Sequence, residues 1–164
     1  MSSSPAGTST DTTEATVVRT SIEVAAPPER AYQVFTTGID QWWNREHHVL
    51  PGTLKEIGVE PREGGRLWEE MDSGERCTWG RVLVWDPPRR FVFSWLIGPD
   101  WGVPAADAAG SRVTVTFTPV DGGTLVELVH SGLDAHGAGW EGVRAGVGSD
   151  GGWPNGLRRF AAAV

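Results

Sequence analysis

The chain has 164 residues, enough for one domain with a substantial core, and its 21 acidic and 14 basic residues give a net charge of −7. This acidic balance argues against nucleic acids and anionic membranes as main partners. No apolar run approaches the ~20 residues that would cross a bilayer, so the sequence predicts no membrane insertion.

Residues 1–14 are rich in Ser and Thr and hold almost nothing apolar to bury. They lack the charged and apolar regions of a signal peptide, so we expect a disordered tail followed by one domain over 15–164. The single cysteine, Cys77, rules out an internal disulfide and fits a reducing compartment. A cytoplasmic location is therefore expected.

The first elements of the domain follow two periodicities. Residues 17–25 alternate apolar and polar, which predicts a half-buried strand. Pro27 and Pro28 then open a short helix that ends at Gly38. The next predicted elements are a second short helix over 39–43, a loop over 44–53, and strands over 54–60 and 66–71 separated by a glycine turn.

Two apolar runs between Thr78 and Ile97 flank a turn formed around Pro87 and Pro88. They predict a pair of antiparallel strands. Both runs carry apolar residues at both parities, whereas a hairpin with one wet face should alternate. We therefore expect another element, the C-terminal helix, to cover the second face.

The remaining segments complete an α+β plan. Residues 98–110 predict a loop, and alternation from Val113 to Thr118 predicts a strand that returns over 124–130. Apolar stripes over 140–164 predict a final helix, and its glycines and Pro154 predict a break or kink near 148–153. The helices then pack against one face of a curved antiparallel sheet.

Several motifs in this order resemble the SRPBCC (START-like) superfamily, within it the branch named after the activator of the heat-shock-protein-ninety ATPase. The resemblance covers roughly residues 16–163. It rests on the segments 24–31, Trp42-Trp43, 60–65, 79–82, 85–89, 139–141 and 152–154.

The resemblance implies a helix-grip, birch-pollen-allergen-like fold. In this fold six to seven antiparallel strands wrap a long C-terminal helix, two short helices follow strand 1, and a cavity lies between sheet and helix. The superfamily includes lipid carriers, hormone receptors, polyketide cyclases and co-chaperones, so the fold alone does not choose a function.

Nine tryptophans are costly to expose and indicate a core, a cavity or an interface. A pocket lined by aromatic side chains with few polar groups is typical of small-molecule sites. Trp101, inside a loop, is expected to guard an entrance. The predicted cavity residues are Trp42, Trp43, Trp68, Trp79, Phe93, Trp95, Trp101, Trp140 and Trp153.

Polar candidates for chemistry are few. Adjacent histidines in a loop, such as His47 and His48, point apart and make a poor chelate, and no Cys-x-x-Cys or His-Glu-x-x-His spacing occurs. No metal or other cofactor is predicted. His130 and His136 flank the start of the last helix and are assigned surface or capping roles. Cys77 has no flanking base, so a nucleophilic role is weakly supported.

Charged residues cluster on the predicted strands between 66 and 81. Cross-strand ion pairs on a wet face explain them, whereas a charge reaching into the cavity would indicate function, because an unpaired buried charge is expensive. The cluster contains Glu69, Glu70, Glu75, Arg66, Arg76 and Arg81.

The sequence favours binding of a small, largely apolar aromatic or lipid-like molecule, with no catalytic residue assigned. One alternative is an enzyme of the polyketide cyclase or aromatase kind, which needs a titratable group in the cavity with a shifted pKa. The other is a chaperone-cofactor-like interaction module, which needs an exposed apolar patch. A protein partner is possible but is not indicated by the residues.

Overall fold

The computed structural model describes residues 15–104 and 110–164; the predicted tail over 1–14 lies outside them. Seven antiparallel strands form one sheet in the order β1-β7-β6-β5-β4-β3-β2. The strands are β1 Val18–Val24, β2 Leu54–Val59, β3 Arg66–Met71, β4 Arg76–Asp86, β5 Arg90–Trp95, β6 Ser111–Val120 and β7 Gly123–Ser131.

In the described part of the chain, three α-helices and two short 3-10 helices accompany the sheet. Among the described residues, no helix is long and apolar enough to cross a membrane. The helices are α1 Pro28–Phe35, α2 Trp140–Gly148 and α3 Trp153–Ala163, and the 3-10 helices are Ile39–Gln41 and Leu133–His136.

The curved sheet buries one face against the helices, which confirms the helix-grip fold. The alternation in β6 shows how: Val113 and Val115 are fully buried and Phe117 is 2% exposed, while the threonines between them face outward. Successive side chains of a strand point to opposite faces, so the apolar set of each strand lines the concave side.

The apolar pattern on both faces of the β4–β5 hairpin has a different cause from the expected one. The pairing register shifts between Val82 and Val84, so a β-bulge at Leu83 switches the side to which later β4 residues point. Helix α3 contacts Trp95 from the concave side at 5.5 Å between ring centroids, and Leu83 stays 40% exposed. The C-terminal helix therefore covers the concave face, and the prediction that it covers the second face is wrong.

The predicted break in the C-terminal helix is confirmed. Helix α2 ends at Gly148 and helix α3 begins at Trp153, with Pro154 in its first turn. At Gly152 a Cβ would lie 2.2 Å from the carbonyl oxygen of Val147, so only glycine allows this close return of the chain. The break leaves room between the two helical segments and the sheet.

Helix α1 closes the other end of the concave face. Its buried face includes Tyr32, whose hydroxyl donates to the carbonyl of Arg90 at 2.9 Å and accepts from the backbone N–H of Asp86 at 3.1 Å. Burial is the main cause that raises the pKa of Tyr32 to about 12. These bonds fix α1 to the β4–β5 turn, and Phe35 of the same helix packs on Phe160 of α3 at 5.3 Å.

Candidate functional site

A cavity of about 440 Å³ opens beside the helix break. Its floor is the concave face of β2 to β5, and its sides are the segment 42–49 and the residues 146–156 around the helix break. This is the space between sheet and C-terminal helix that the sequence predicted, and its size is that of a small-molecule site. Six of its lining residues are tryptophans, namely Trp42, Trp43, Trp79, Trp95, Trp101 and Trp153.

Four of these indoles form a closed ring of contacts. Trp79 lies 5.3 Å from Trp43 and 5.6 Å from Trp95, measured between ring centroids. Trp153 completes the ring, at 5.5 Å from Trp95 and 6.1 Å from Trp43. Most of these pairs meet edge to face, the arrangement that the ring quadrupole favours. The cavity wall is therefore a braced aromatic surface.

Three cavity tryptophans are held by their indole N–H groups as well. Each N–H donates to an acceptor from a different segment or turn, which fixes the ring plane. The bonds are Trp42 to the Val34 carbonyl at 2.9 Å, Trp43 to the His47 carbonyl at 2.8 Å, and Trp153 to Nδ1 of His130 at 3.0 Å.

Two cavity tryptophans differ in this respect. The indole nitrogens of Trp79 and Trp95 are buried, and the described part of the chain offers neither of them an acceptor. A buried donor without a partner costs about 1–3 kcal/mol, so native proteins rarely keep one without a reason.

Trp101 lies at the edge of the cavity, on the helix side. Its backbone has a φ of +61°, an uncommon conformation for a residue other than glycine, and its side chain is 48% exposed. The indole rests against Gly146 of α2, where a Cβ would come within 2.5 Å of the ring. Gly146 therefore makes the space in which this loop tryptophan lies.

Three of the predicted cavity residues do not line the cavity. Trp68 alternates with the buried Leu67 in β3 and so points to the outer face, where the guanidinium carbon of Arg76 lies 4.4 Å from its ring centroid. Phe93 is buried within the core, packed against Trp79 at 6.1 Å. Trp140 begins α2 and packs partly buried against the core.

Glu69 is the lining residue that sequence reasoning assigned to the wrong environment. The residue is 2% exposed, and its carboxylate accepts hydrogen bonds from the backbone N–H groups of Val49 and Leu50, the shortest at 2.8 Å. The ion-pair prediction holds instead for its neighbour Glu70, which pairs with Arg76 at 2.8 Å. The parity of Glu69, shared with Leu67 and Met71, was the signal for an inward position.

Polar side chains collect on the 44–49 side of the cavity. His47 and His48 both line it, and Nδ1 of His48 lies 2.6 Å from the carbonyl oxygen of Leu50. Asn155 reaches the cavity from α3. Within residues 15–104 and 110–164, no group of three or more His, Cys, Asp or Glu side chains could hold a metal ion.

His130 is fully buried, so its predicted surface or capping role is wrong. Its Nε2 lies 2.6 Å from Oγ of Ser111, which in turn lies 2.8 Å from Nε2 of His136. Burial, together with the nearby His136, lowers the pKa of His130 to about 3, and burial also lowers the pKa of His136. His130 is therefore neutral at physiological pH.

Cys77 shows no sign of an activated thiol. Burial and the charge of Glu69 raise the pKa of its thiol, which keeps it protonated.

The site thus consists of a wide apolar aromatic wall with polar groups on one side. Such an arrangement can hold and orient a flat apolar molecule.

A family model described as "Activator of Hsp90 ATPase homolog 1-like protein" matches residues 25–164. The chain belongs to this family. The match agrees with the resemblance found in the sequence motifs and extends from the end of β1 to the last residue of the chain. No curated protein matches the sequence.

Several solved structures have the same fold and align with most of this chain. One is described as an anthrahydroquino-gamma-pyrone synthase, Txn09; it is 35% identical, with 90% of this chain and 96% of that chain covered and a TM-score of 0.65. CalC of Micromonospora echinospora, a self-sacrificing resistance protein, is 28% identical, with 89% and 92% covered and a TM-score of 0.61. Protein NE0264 of Nitrosomonas europaea, 15% identical with 91% and 94% covered and a TM-score of 0.65, shares the fold.

Proposed function

We propose that this protein binds a planar, largely apolar aromatic molecule in the tryptophan-walled cavity. The observation that carries the proposal is the cavity of about 440 Å³ beside the helix break, with six tryptophans in its wall. Indole rings supply large apolar area and prefer ring-edge contacts with other aromatic groups. A flat ring system uses such a wall better than a flexible chain does.

The expected affinity follows from the area that the ligand can bury. Burial of ~200 Å² of apolar ligand surface at about 25 cal/mol/Å² contributes ~5 kcal/mol before the costs of association. Contacts of the protein wall with the ligand add to this, so micromolar dissociation constants are expected. Ligand recognition at this strength needs no metal or other cofactor.

The relatives support a polyketide-like aromatic ligand. Txn09, at 35% identity, is described as an anthrahydroquino-gamma-pyrone synthase, and CalC is described as a self-sacrificing resistance protein. One description concerns synthesis and the other protection. A cavity that holds an aromatic natural product is compatible with both.

We also propose a cytoplasmic location for the protein, which the single cysteine fits.

The test compares two tryptophan variants. Flavonoid- or polyketide-like compounds are screened by tryptophan quenching, and each hit is then measured by equilibrium dialysis. Trp95→Ala removes a cavity wall and should weaken binding about tenfold or more, the effect of ~1.4 kcal/mol. Trp68→Ala, the matched control on the outer face, should leave the dissociation constant unchanged. Equal affinities of both variants, or no saturable ligand, would refute the proposal.

A second candidate function is ring formation on a polyketide-like substrate, favoured by the identity to Txn09. The groups in reach of a substrate are His47, His48 and Glu69, which line the cavity. Mass analysis of a dialysis hit after prolonged incubation separates the two. Recovery of the unchanged compound supports binding alone, whereas loss of water or a new ring supports the enzyme.

The chaperone-cofactor-like alternative receives no support from the exposed surface. Among the described residues, the large hydrophobic side chains that are well exposed are Leu83 and Trp101, which lie on different elements. Single exposed apolar residues are ordinary, and an interaction module needs a contiguous patch.

A further inference from the structure

Two tryptophans that line the cavity carry buried indole N–H donors that no described residue accepts. Trp79 is 1% exposed and Trp95 is 6% exposed, and their indole N–H groups find no acceptor among the described residues. The two residues lie on neighbouring strands, where Trp95 pairs with Gly80, the residue after Trp79. The two indole rings are therefore close together, with 5.6 Å between their centroids, and both residues line the cavity.

Three other tryptophans of the cavity make this pair informative. Trp42, Trp43 and Trp153 each donate their indole N–H to an acceptor at 3.0 Å or less. A third buried group without a partner, Nε of Arg144, belongs to a residue that does not line the cavity. The fold thus gives an acceptor to three indole donors of the same cavity wall, and Trp79 and Trp95 are exceptions to this pattern.

We propose that the N–H groups of Trp79 and Trp95 donate hydrogen bonds to a carbonyl oxygen of the bound molecule. The inference rests on the proposed function and deepens it, because it names the ligand as an aromatic ketone or quinone. An indole nitrogen can only donate, so its partner must be an acceptor. A carbonyl oxygen carries two lone pairs and brings no proton that would itself need a partner.

The charges around the cavity disfavour an anionic acceptor. Among residues 15–104 and 110–164, no lysine or arginine lines the cavity, whereas two acidic residues, Glu46 and Glu69, do. A ligand carboxylate or phosphate would lose its hydration without gaining a positive partner. A neutral carbonyl oxygen meets the two donors without that penalty.

The test uses fluorenone and fluorene, two tricyclic probes of nearly equal shape that differ by the carbonyl oxygen. Equilibrium dialysis gives the affinity of each probe for the wild type, Trp79→Phe, Trp95→Phe and the control Trp43→Phe. Phenylalanine keeps an aromatic wall and removes the N–H. Trp43 is a cavity residue whose N–H is already used, so its replacement should change the affinity for both probes alike.

Trp79→Phe and Trp95→Phe should each weaken fluorenone binding roughly two- to tenfold more than fluorene binding, the effect of one net hydrogen bond. Equal losses for the two probes would overturn the inference and leave the proposed function standing. If neither probe binds the wild type, the proposed function and the inference both fail.

A measurement on the wild type covers the case in which a variant does not fold. In ¹H–¹⁵N spectra, two indole N–H resonances should move downfield on addition of fluorenone and should not do so with fluorene. Saturable fluorenone binding that leaves all indole proton shifts the same as with fluorene would overturn the inference.

Discussion

The indole N–H of Trp153 donates to Nδ1 of His130 at 3.0 Å. Because Nδ1 accepts this bond, the neutral ring carries its proton on Nε2, which donates to Oγ of Ser111 at 2.6 Å. The Ser111 hydroxyl proton is then free to go to Nε2 of His136, 2.8 Å away. The hydrogen bond from Trp153 thus sets which group donates and which accepts in a buried series of hydrogen bonds that joins α3, β7 and β6.

This buried series of hydrogen bonds predicts that the protein loses stability in mild acid. The pKa of His130 in the folded protein is lowered to about 3 from an ordinary 6.5. Between these two pH values, the unfolded chain therefore binds a proton on this ring and the folded protein does not. Stability is therefore fully present above pH 6.5 and falls as the pH drops toward 3, by up to about 1.4 kcal/mol per pH unit. The lowered pKa of His136 acts in the same direction.

Urea unfolding at a series of pH values between about 6.5 and 4 measures this loss. His130→Gln keeps an acceptor and a donor but does not titrate, so its pH slope should be shallower than that of the wild type. Parallel slopes for His130→Gln and the wild type would contradict the assignment.

Asp40 does not interfere with this measurement. Burial raises the pKa of its carboxyl, but hydrogen bonds from Arg45 and the Ile57 N–H outweigh burial and lower the pKa, so the contribution of Asp40 to stability is lost only below pH 3.8.

The apolar stripe of α3 predicts a large difference between two adjacent residues. Phe160 is fully buried and meets Trp42 at 5.8 Å, whereas Arg159 is exposed. Phe160→Ala should lower the free energy of unfolding by ~3–5 kcal/mol, and Arg159→Ala by roughly 0.5 kcal/mol or less. Equal midpoints of the two variants in a urea titration would show that the helix face is misassigned.

Glu69 and its neighbour Glu70 predict a second difference in stability between variants of adjacent residues. Its buried carboxylate holds the backbone N–H groups of Val49 and Leu50, so Glu69→Gln places an amide donor against a donor. We expect a loss of about 1–3 kcal/mol and faster proteolysis within residues 44–53. Glu70→Gln, whose carboxylate pairs with the exposed Arg76 on the outer face, should lose much less stability. A smaller loss for Glu69→Gln than for Glu70→Gln would contradict the assigned roles.

The fold was predictable because its main signals are local. Alternation in β1 and β6, the proline opening of α1 and the glycines of the helix break each act within a few residues. The bulge at Leu83 was missed because a single shift of register leaves an apolar run that looks the same in the sequence. Only the pairing with β5 distinguishes a bulge from a hairpin with two apolar faces.

The candidate site was predictable in kind but not residue by residue. Tryptophan content indicates a cavity wall, yet the facing of Trp68 depends on strand parity, which its buried neighbour Leu67 would have revealed. His130 gave no local signal, because its partners Ser111 and Trp153 lie 19 and 23 residues away in the chain. Long-range pairing of this kind exists only once the sheet has formed.

The central claim, that the tryptophan cavity is the binding site, is tested most directly by filling it. Gly156 lines the cavity, and a Cβ there would lie 3.7 Å from the rings of Trp42 and Trp153, in ordinary contact. Gly156→Leu should fill the space and gain ~1 kcal/mol of helix propensity, so the melting temperature is kept or raised. Gly142→Leu, on α2 and away from the cavity, is the control.

The decisive measurement is the dissociation constant of fluorenone, by equilibrium dialysis, for wild type, Gly156→Leu and Gly142→Leu. Saturable binding to the wild type and to Gly142→Leu, with at least tenfold weaker binding to a folded Gly156→Leu, is the predicted result, equivalent to ~1.4 kcal/mol or more. Equal affinity of all three proteins for fluorenone would contradict the claim, because the ligand would then bind elsewhere.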